Sequence, residues 1–183
     1  MEKDKLIILS GCSGAGKTTI YDEVRKKNVS ISRVVTYTTR NKREGETDGK
    51  DYWFVSREQF LKMRSNAELL ESSEVYGKFY GSKKEDVERL LNDGKTIMMI
   101  VDVLGALALK KLMPQAVLVF VRVADGDELE RRLMERGKDS EEEIRKRRKI
   151  SEEELGYIDQ FDVVVDNEDL EEAVAKVIEV IDC

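Results

Sequence analysis

Gly11, Gly14 and Gly16 lead into Lys17, Thr18 and Thr19, which completes the spacing G-x-x-x-x-G-K-[ST] of a loop that wraps a phosphate chain. Glycine suits such a loop because the backbone must leave the right-handed region and approach the ligand with no Cβ in the way. Backbone N–H groups and the positive end of the following helix then face a polyanion. In that arrangement Lys17 reaches the phosphoryl group being moved and the Thr18 hydroxyl ligates magnesium, while Thr19 closes the first helical turn. Cys12 sits in the variable part of the loop and has no assigned chemistry.

A second set of residues suits the other side of a phosphoryl transfer. Arg40 and Arg43, three apart, can grip one phosphate, although solvated loop arginines would read the same way. Glu71 interrupts an apolar stretch, where it either faces water or accepts N–H donors from a purine edge. Tyr52 and Tyr80 can stack or hydrogen-bond, with core packing the commoner fate of tyrosine. Asp102 ends an apolar run, and a carboxylate buried there unpaired would cost several kcal/mol, since even an uncharged polar group costs about 2 to 7. It is therefore expected to face the cleft at the carboxyl end of a sheet, holding a metal-bound water or an acceptor-side arginine.

The elements that must position these groups follow from periodicity. Leu6 to Leu9 is an apolar, partly β-branched run that delivers the chain into the loop as a buried parallel strand, and a helix begins at Lys17. Further strands are expected over Ser32 to Tyr37, Thr96 to Val103, Ala116 to Val123 and Phe161 to Val165. Ser56 with Gln59 makes a capping box for a short helix, Ser82 is placed to cap another through Leu91, and Pro114 stops a helix running from Gly105 to Met113. Asp125 to Arg136 and Glu141 to Glu154 are charged helices with Ser140 between them, readable as a solvated hairpin or as a closing lid. Leu170, Ala173, Val174, Val177, Ile178 and Ile181 stripe a final amphipathic helix. The fold expected is α/β: a central parallel sheet between helices with two inserted subdomains. The core is 1–35, 91–124 and 158–183, the insertions 36–90 and 125–157, all in one domain.

A chain of 183 residues supports one substantial α/β core and not two ordinary domains. Its formal charge of -6 gives no net attraction to nucleic acid or anionic membranes, so any polyanion must be captured locally. Cys12 and Cys183 form neither a disulfide framework nor a metal cluster, and a reducing cytoplasm is the economical location. The apolar run near the N-terminus is too short for a signal peptide or a membrane span. With 0 His, histidine general-base and imidazole-ligand mechanisms are excluded.

Over nearly its whole length the chain resembles the guanylate kinases, members of the P-loop kinase fold. The motifs that carry the resemblance are the phosphate loop; Thr38, Thr39, Arg40 and Arg43; Gly45-Glu46 followed by Gly49-Lys50-Asp51-Tyr52-Trp53-Phe54-Val55; Tyr80-Gly81-Ser82; Arg132-Leu133-Met134-Glu135-Arg136-Gly137; and Asn167 to Leu170. The resemblance implies transfer of the ATP γ-phosphoryl group to GMP or dGMP with Mg2+. It implies that Gly11, Cys12, Ser13, Gly14, Ala15, Gly16, Lys17, Thr18 and Thr19 hold ATP, with Asn167 near its base and Thr18 on the metal. Arg40, Arg43, Tyr52 and Tyr80 would bind the GMP phosphate; Glu71, Ser82 and Thr36 would read guanine, with Asp102 on the same side. Lys17, Arg132, Arg136 and Arg147, with Asp102, would carry the catalysis. Both insertions would move, GMP closing one and ATP the other.

The sequence departs from the family pattern where a first Asp and a Gln are usual: Ile100 and Leu104 stand there, and Asn41-Lys42 replaces a residue-proline pair. Rate, metal use or acceptor can differ accordingly. A related kinase for another phosphorylated acceptor is one alternative, and a weakly active binding protein another. The second predicts an eroded loop, whereas Gly16, Lys17 and Thr18 are intact. The expected partners are small nucleotides, with neither nucleic acid nor membrane, and the expected state is monomer or homodimer.

Overall fold

The computed structural model describes residues 5–27, 30–75, 77–123, 131, 134 and 141–183, and of 141–147 the backbone alone. In chain order its elements are β1 (Leu6–Gly11), α1 (Lys17–Lys27), β2 (Ser32–Arg33), β3 (Tyr37–Thr38), β4 (Trp53–Phe54), α2 (Arg57–Ser65), β5 (Leu69–Val75), β6 (Lys78–Lys83), α3 (Lys84–Asn92), β7 (Ile97–Ile100), α4 (Val103–Leu112), β8 (Val117–Arg122), α5 (Glu141–Leu155), β9 (Val163–Asp166) and α6 (Leu170–Asp182). A single 3-10 turn at Ile158–Gln160 precedes β9. The class is α/β about a parallel sheet of order β2-β7-β1-β8-β9. All six residues of β1 are buried, as a strand covered on both faces requires.

Two compact units divide the chain: Met1–Ile8 with Ser30–Ala116, and Leu9–Val29 with Val117–Cys183. In the first, β2 pairs in parallel with β7, Ser32 opposite Ile97, and a separate four-stranded sheet of order β4-β3-β6-β5 stands beside them. The antiparallel β5/β6 ladder sets Glu71 against Ser82 and Ser73 against Tyr80, so these four side chains share one face. Beneath α2, Phe60 stacks on Phe79 at 5.4 Å, both rings buried. Ser56 caps α2 with the expected box: its hydroxyl accepts from the Gln59 N–H, and the Gln59 side chain accepts from the Ser56 N–H.

In the second unit β8 and β9 run parallel, Val119 opposite Val163, with Phe120 edge-on to Phe161 at 4.9 Å. Ile20, Tyr21 and Val24 of α1 are buried, as are Ala173, Val174, Val177 and Ile181 of α6, and the two helices pack together. Asp169 caps α6 by accepting from the Glu172 N–H.

Three boundaries differ from the sequence reading. The strand expected over Ser32 to Tyr37 is two, because β2 joins the parallel sheet while β3 turns away to pair with β4 and β6. The strand expected to run to Val103 stops at Ile100, and Asp102 becomes the N-cap of α4, its side chain accepting from the Gly105 N–H at 3.0 Å. Ser82 does not cap α3: it stays in β6 opposite Glu71, and the residue before the helix, Lys83, makes no side-chain cap. Met113 leaves the helical region ahead of Pro114, as a pre-proline residue tends to. Ser140 and most of the helix expected over 125–136 lie outside the described residues.

Candidate active site

In the second unit the chain leaves β1 at Gly11 and enters α1 at Lys17 through a loop with Gly11 at φ 120°, Gly14 at 95° and Gly16 at 87°. At Gly11 glycine is obligatory twice over, since a Cβ there would lie 2.0 Å from the Val121 carbonyl oxygen. That closeness has a use: the Cys12 N–H donates to the same carbonyl at 3.2 Å, tying the loop to β8. The Lys17 ammonium donates to the Gly11 and Cys12 carbonyls at 2.6 and 2.9 Å, so the loop curls around its own lysine. Thr18 and Thr19 are exposed at the start of α1, with the first helical bond running from the Ile20 N–H to the Gly16 carbonyl.

Asn167, buried just past β9, donates its amide to the Ala15 carbonyl at 2.7 Å, and a Cβ on Gly16 would come within 2.3 Å of its Nδ2. The asparagine thus braces the loop from below. Cys12 is buried, and its thiol lies 3.7 Å from the Ser151 carbonyl of α5. Burial, with Glu154 close by, pushes its pKa up to about 11 against the weaker pull of Lys17. Arg132 and Arg136 lie outside the described residues, and Arg147 is described only as backbone within α5.

In the first unit Arg40, Tyr52 and Tyr80 come together. The Arg40 guanidinium donates to both carboxylate oxygens of Glu46, at 2.9 and 2.6 Å, and to the Asn41 carbonyl at 2.7 Å. Its Cζ lies 5.2 Å from the centre of the Tyr52 ring and 5.6 Å from that of Phe54. Tyr52 in turn meets Tyr80 edge-on at 6.1 Å. Burial alone would lower the Arg40 pKa and raise that of Glu46, but the fork of hydrogen bonds outweighs it, so Arg40 is raised and Glu46 lowered. Glu46 also accepts from the Arg43 N–H at 2.7 Å, fixing the turn between the arginines. Burial, then Tyr80, raises the Tyr52 pKa and keeps its phenol a neutral donor.

Glu71 is 6% exposed and Ser82 fully buried; Glu71 Oε1 and Ser82 Oγ find no hydrogen-bond partner among the described residues. Burial pushes the Glu71 pKa up to about 7, with Asp102 adding to the rise and the nearby Ser82 hydroxyl and N–H opposing it. A buried carboxyl and a buried hydroxyl left unsatisfied on one face are costly, and a ligand that hydrogen-bonds both would remove the cost. Asp102 stands beside them at the start of α4: a Cβ on Gly105 would lie 3.1 Å from Glu71 Oε2 and 3.3 Å from Asp102 Oδ2. Thr36 is buried, its carbonyl accepting from the Trp53 N–H at 2.9 Å, which sets β4 beside β3.

Two residues escaped the sequence reading. Glu46 is one of two glutamates that follow the arginines and belongs to the Gly45-Glu46 motif, but its role in forking Arg40 and holding the Arg43 N–H is not read from the sequence, although an acid six residues after Arg40 is a local signal for it. Ser73, whose hydroxyl donates to Asp102 Oδ2, gave no signal, because its partner is 29 residues away.

A family profile described as guanylate kinase matches residues 3–183. The guanylate kinase of Carboxydothermus hydrogenoformans is 44% identical over 174 residues, spanning 95% of this chain and 85% of the relative. That of Thermotoga maritima is 39% identical over 179 residues, spanning 98% and 86%. Among solved structures, guanylate kinase from Anaplasma phagocytophilum matches with a TM-score of 0.83 at 30% identity, over 99% of this chain and 86% of that one. A profile that takes in nearly every residue, with relatives this similar over this length, leaves one conclusion: the chain belongs to the guanylate kinase family.

Proposed function

We propose that the protein transfers the γ-phosphoryl group of ATP to GMP or dGMP, giving ADP and GDP or dGDP. The observation that carries the acceptor is the pair Glu71 and Ser82, a buried carboxyl and a buried hydroxyl facing the same way, with Glu71 Oε1 and Ser82 Oγ unpartnered among the described residues. Guanine supplies what they lack: N1–H and the exocyclic amine donate to Glu71, and O6 accepts from Ser82. Adenine presents a lone pair at N1 and would leave the carboxylate facing an acceptor, so AMP is rejected. Thr36 and Asp102 complete the base side. Arg40, Arg43, Tyr52 and Tyr80 take the GMP phosphate, Arg40 being held ready by Glu46.

On the donor side the loop from Gly11 to Thr19 cradles the triphosphate, and Asn167 fixes the loop in shape. Lys17 leaves the Gly11 and Cys12 carbonyls for the phosphate oxygens, which offer a charge in place of two dipoles. Magnesium fits the Thr18 hydroxyl, an exposed hard oxygen at the helix start, since this ion takes the rest of its shell from phosphates and water rather than from a protein cage. When bound, it screens the phosphate charge. The attacking GMP oxygen is already nucleophilic, so the protein's part is alignment, charge neutralisation by Lys17, Arg132, Arg136 and Arg147, and exclusion of water. In this reading 36–90 is the GMP-binding insertion and 125–157 the lid, on a core of 1–35, 91–124 and 158–183.

A coupled ADP-release assay with ATP and magnesium, offered GMP, dGMP, AMP, UMP and CMP in turn, tests the proposal. Turnover confined to the guanine nucleotides is expected, and equal use of AMP would overturn it.

A further inference from the structure

We propose that Ser73 is a positioning residue for base selection: its hydroxyl holds the Asp102 carboxylate beside Glu71 so that the exocyclic amine of guanine is met from two sides. This rests on the reading of the acceptor as GMP. Ser73 lies two residues beyond Glu71 on β5, so the two side chains share a face, and the ladder sets Tyr80 opposite Ser73 and Ser82 opposite Glu71. From that face the Ser73 hydroxyl reaches across to α4 and donates to Asp102 Oδ2, while Asp102 Oδ1 accepts from the Gly105 N–H at 3.0 Å. Both oxygens of Asp102 are therefore pinned, one by the helix it caps and one by the sheet that carries Glu71.

Pinning is needed because the neighbours are alike in charge. Glu71 Oε2 and Asp102 Oδ2 both face Gly105, where a Cβ would lie 3.1 and 3.3 Å from them, and the Asp102 charge is felt at Glu71, whose pKa it helps to raise. Two carboxylates so placed repel, and an Asp102 held through one oxygen alone would turn away from Glu71. With Ser73 in place, the second oxygen stays beside Glu71 and keeps a lone pair for an incoming donor. Guanine's amine has two N–H bonds: Glu71 uses one together with N1–H, and the other needs a second acceptor. Hypoxanthine keeps N1–H and O6 but has no amine, so IMP measures this contact by its absence.

The test is steady-state kinetics of the whole chain with GMP and with IMP as acceptors, for the wild type, Ser73→Ala and Ser73→Thr. Ser73→Ala is expected to raise the KM for GMP about tenfold, the usual scale for a lost hydrogen bond to a charged group, with kcat, the KM for ATP and the KM for IMP little changed. The GMP-to-IMP preference then falls by the same factor. Ser73→Thr keeps the hydroxyl and suits a strand, so it restores the preference. A merely structural role would move both acceptors and both variants alike, and that result overturns the proposal, as does an unchanged GMP-to-IMP ratio in Ser73→Ala. A wild type that uses no GMP at all would instead overturn the reading of the acceptor, and this inference with it.

Discussion

Glu71→Gln removes a carboxyl that the fold keeps 6% exposed, with its pKa pushed up by burial to about 7 from an ordinary 4.5. Because the folded value lies above the unfolded one, the native state holds a proton through this window that the unfolded chain has released. Unfolding free energy therefore falls as pH rises from about 4.5 to about 7 and stays low above it. The gap between about 7 and 4.5, at about 1.36 kcal/mol per unit, comes to about 3 kcal/mol as an upper bound. Urea unfolding of the wild type and of Glu71→Gln at pH 5 and pH 8 isolates this contribution, since other groups titrate alike in both. The wild type should lose up to about 3 kcal/mol more than the variant between the two pH values. Ligand binding adds the complementary signature. Guanosine, which has no phosphate to titrate, should bind the wild type about tenfold more weakly per pH unit below about 7, as the carboxylate it needs becomes protonated. At pH 8 the variant should bind GMP about 10- to 100-fold more weakly than the wild type. Parallel stability profiles for the two proteins would refute the argument that Glu71 is held at a cost for a ligand to relieve.

Lys17→Ala, which removes the ammonium now lodged between the Gly11 and Cys12 carbonyls, should lower the transfer rate by about a hundredfold or more while GMP binding measured by calorimetry stays intact. Glu46→Gln breaks the charged fork on Arg40, so the KM for GMP should rise about tenfold while guanosine affinity holds, which separates phosphate gripping from base reading. With a pKa of about 11 and a buried sulfur, Cys12 should resist a disulfide reagent at pH 8: the native chain should yield one rapidly reacting thiol, Cys183, and the denatured chain both. Two fast thiols in the native protein would contradict the burial of Cys12.

The phosphate loop was legible because every part of its geometry is local: the glycines that adopt positive φ, the lysine that curls back and the strand that feeds them all lie within Leu6 to Thr19. The spacing of Arg40 and Arg43 is local and visible in the sequence, but not the Glu46 fork that orders the Arg40 guanidinium or the bond from the Arg43 N–H that fixes the turn. Ser82 departs from its local sequence signal for an instructive reason. Ser82-Lys83-Lys84-Glu85 has the local look of a capping box, and a serine free to choose would take it. Pairing with Glu71 in the β5/β6 ladder prevails, and the hydroxyl is left buried for a ligand rather than used on a helix end. The overlong strand through Asp102 failed similarly: hydrophobicity continues through Val101 and Val103, yet the cap on Gly105 and the bond from Ser73 decide where the helix starts. Ser82 is kept in its strand by backbone pairing with β5, and Asp102 answers to the nearby Gly105 N–H as well as to Ser73, 29 residues away; both residues are assigned here to the base.

Three ionisable groups of the candidate site follow one rule. Lys17 rests on carbonyls, Arg40 rests on Glu46, and Glu71 avoids its charge by holding a proton up to about pH 7. The charge of each of these three groups is thus offset by something weaker than the ligand proposed for it: backbone dipoles for Lys17, one carboxylate for Arg40, and for Glu71 a proton that leaves its Oε1 without a hydrogen-bond partner among the described residues. Such an arrangement limits the penalty of keeping the charges in a folded protein while leaving the ligand a net gain. It also makes selectivity a matter of exchange. In the proposed site AMP would satisfy Arg40 and Arg43 as well as GMP would, but it offers no donor at N1 in return for the proton on Glu71, so discrimination between the two should sharpen above about pH 7, where Glu71 without a donor is a buried bare charge.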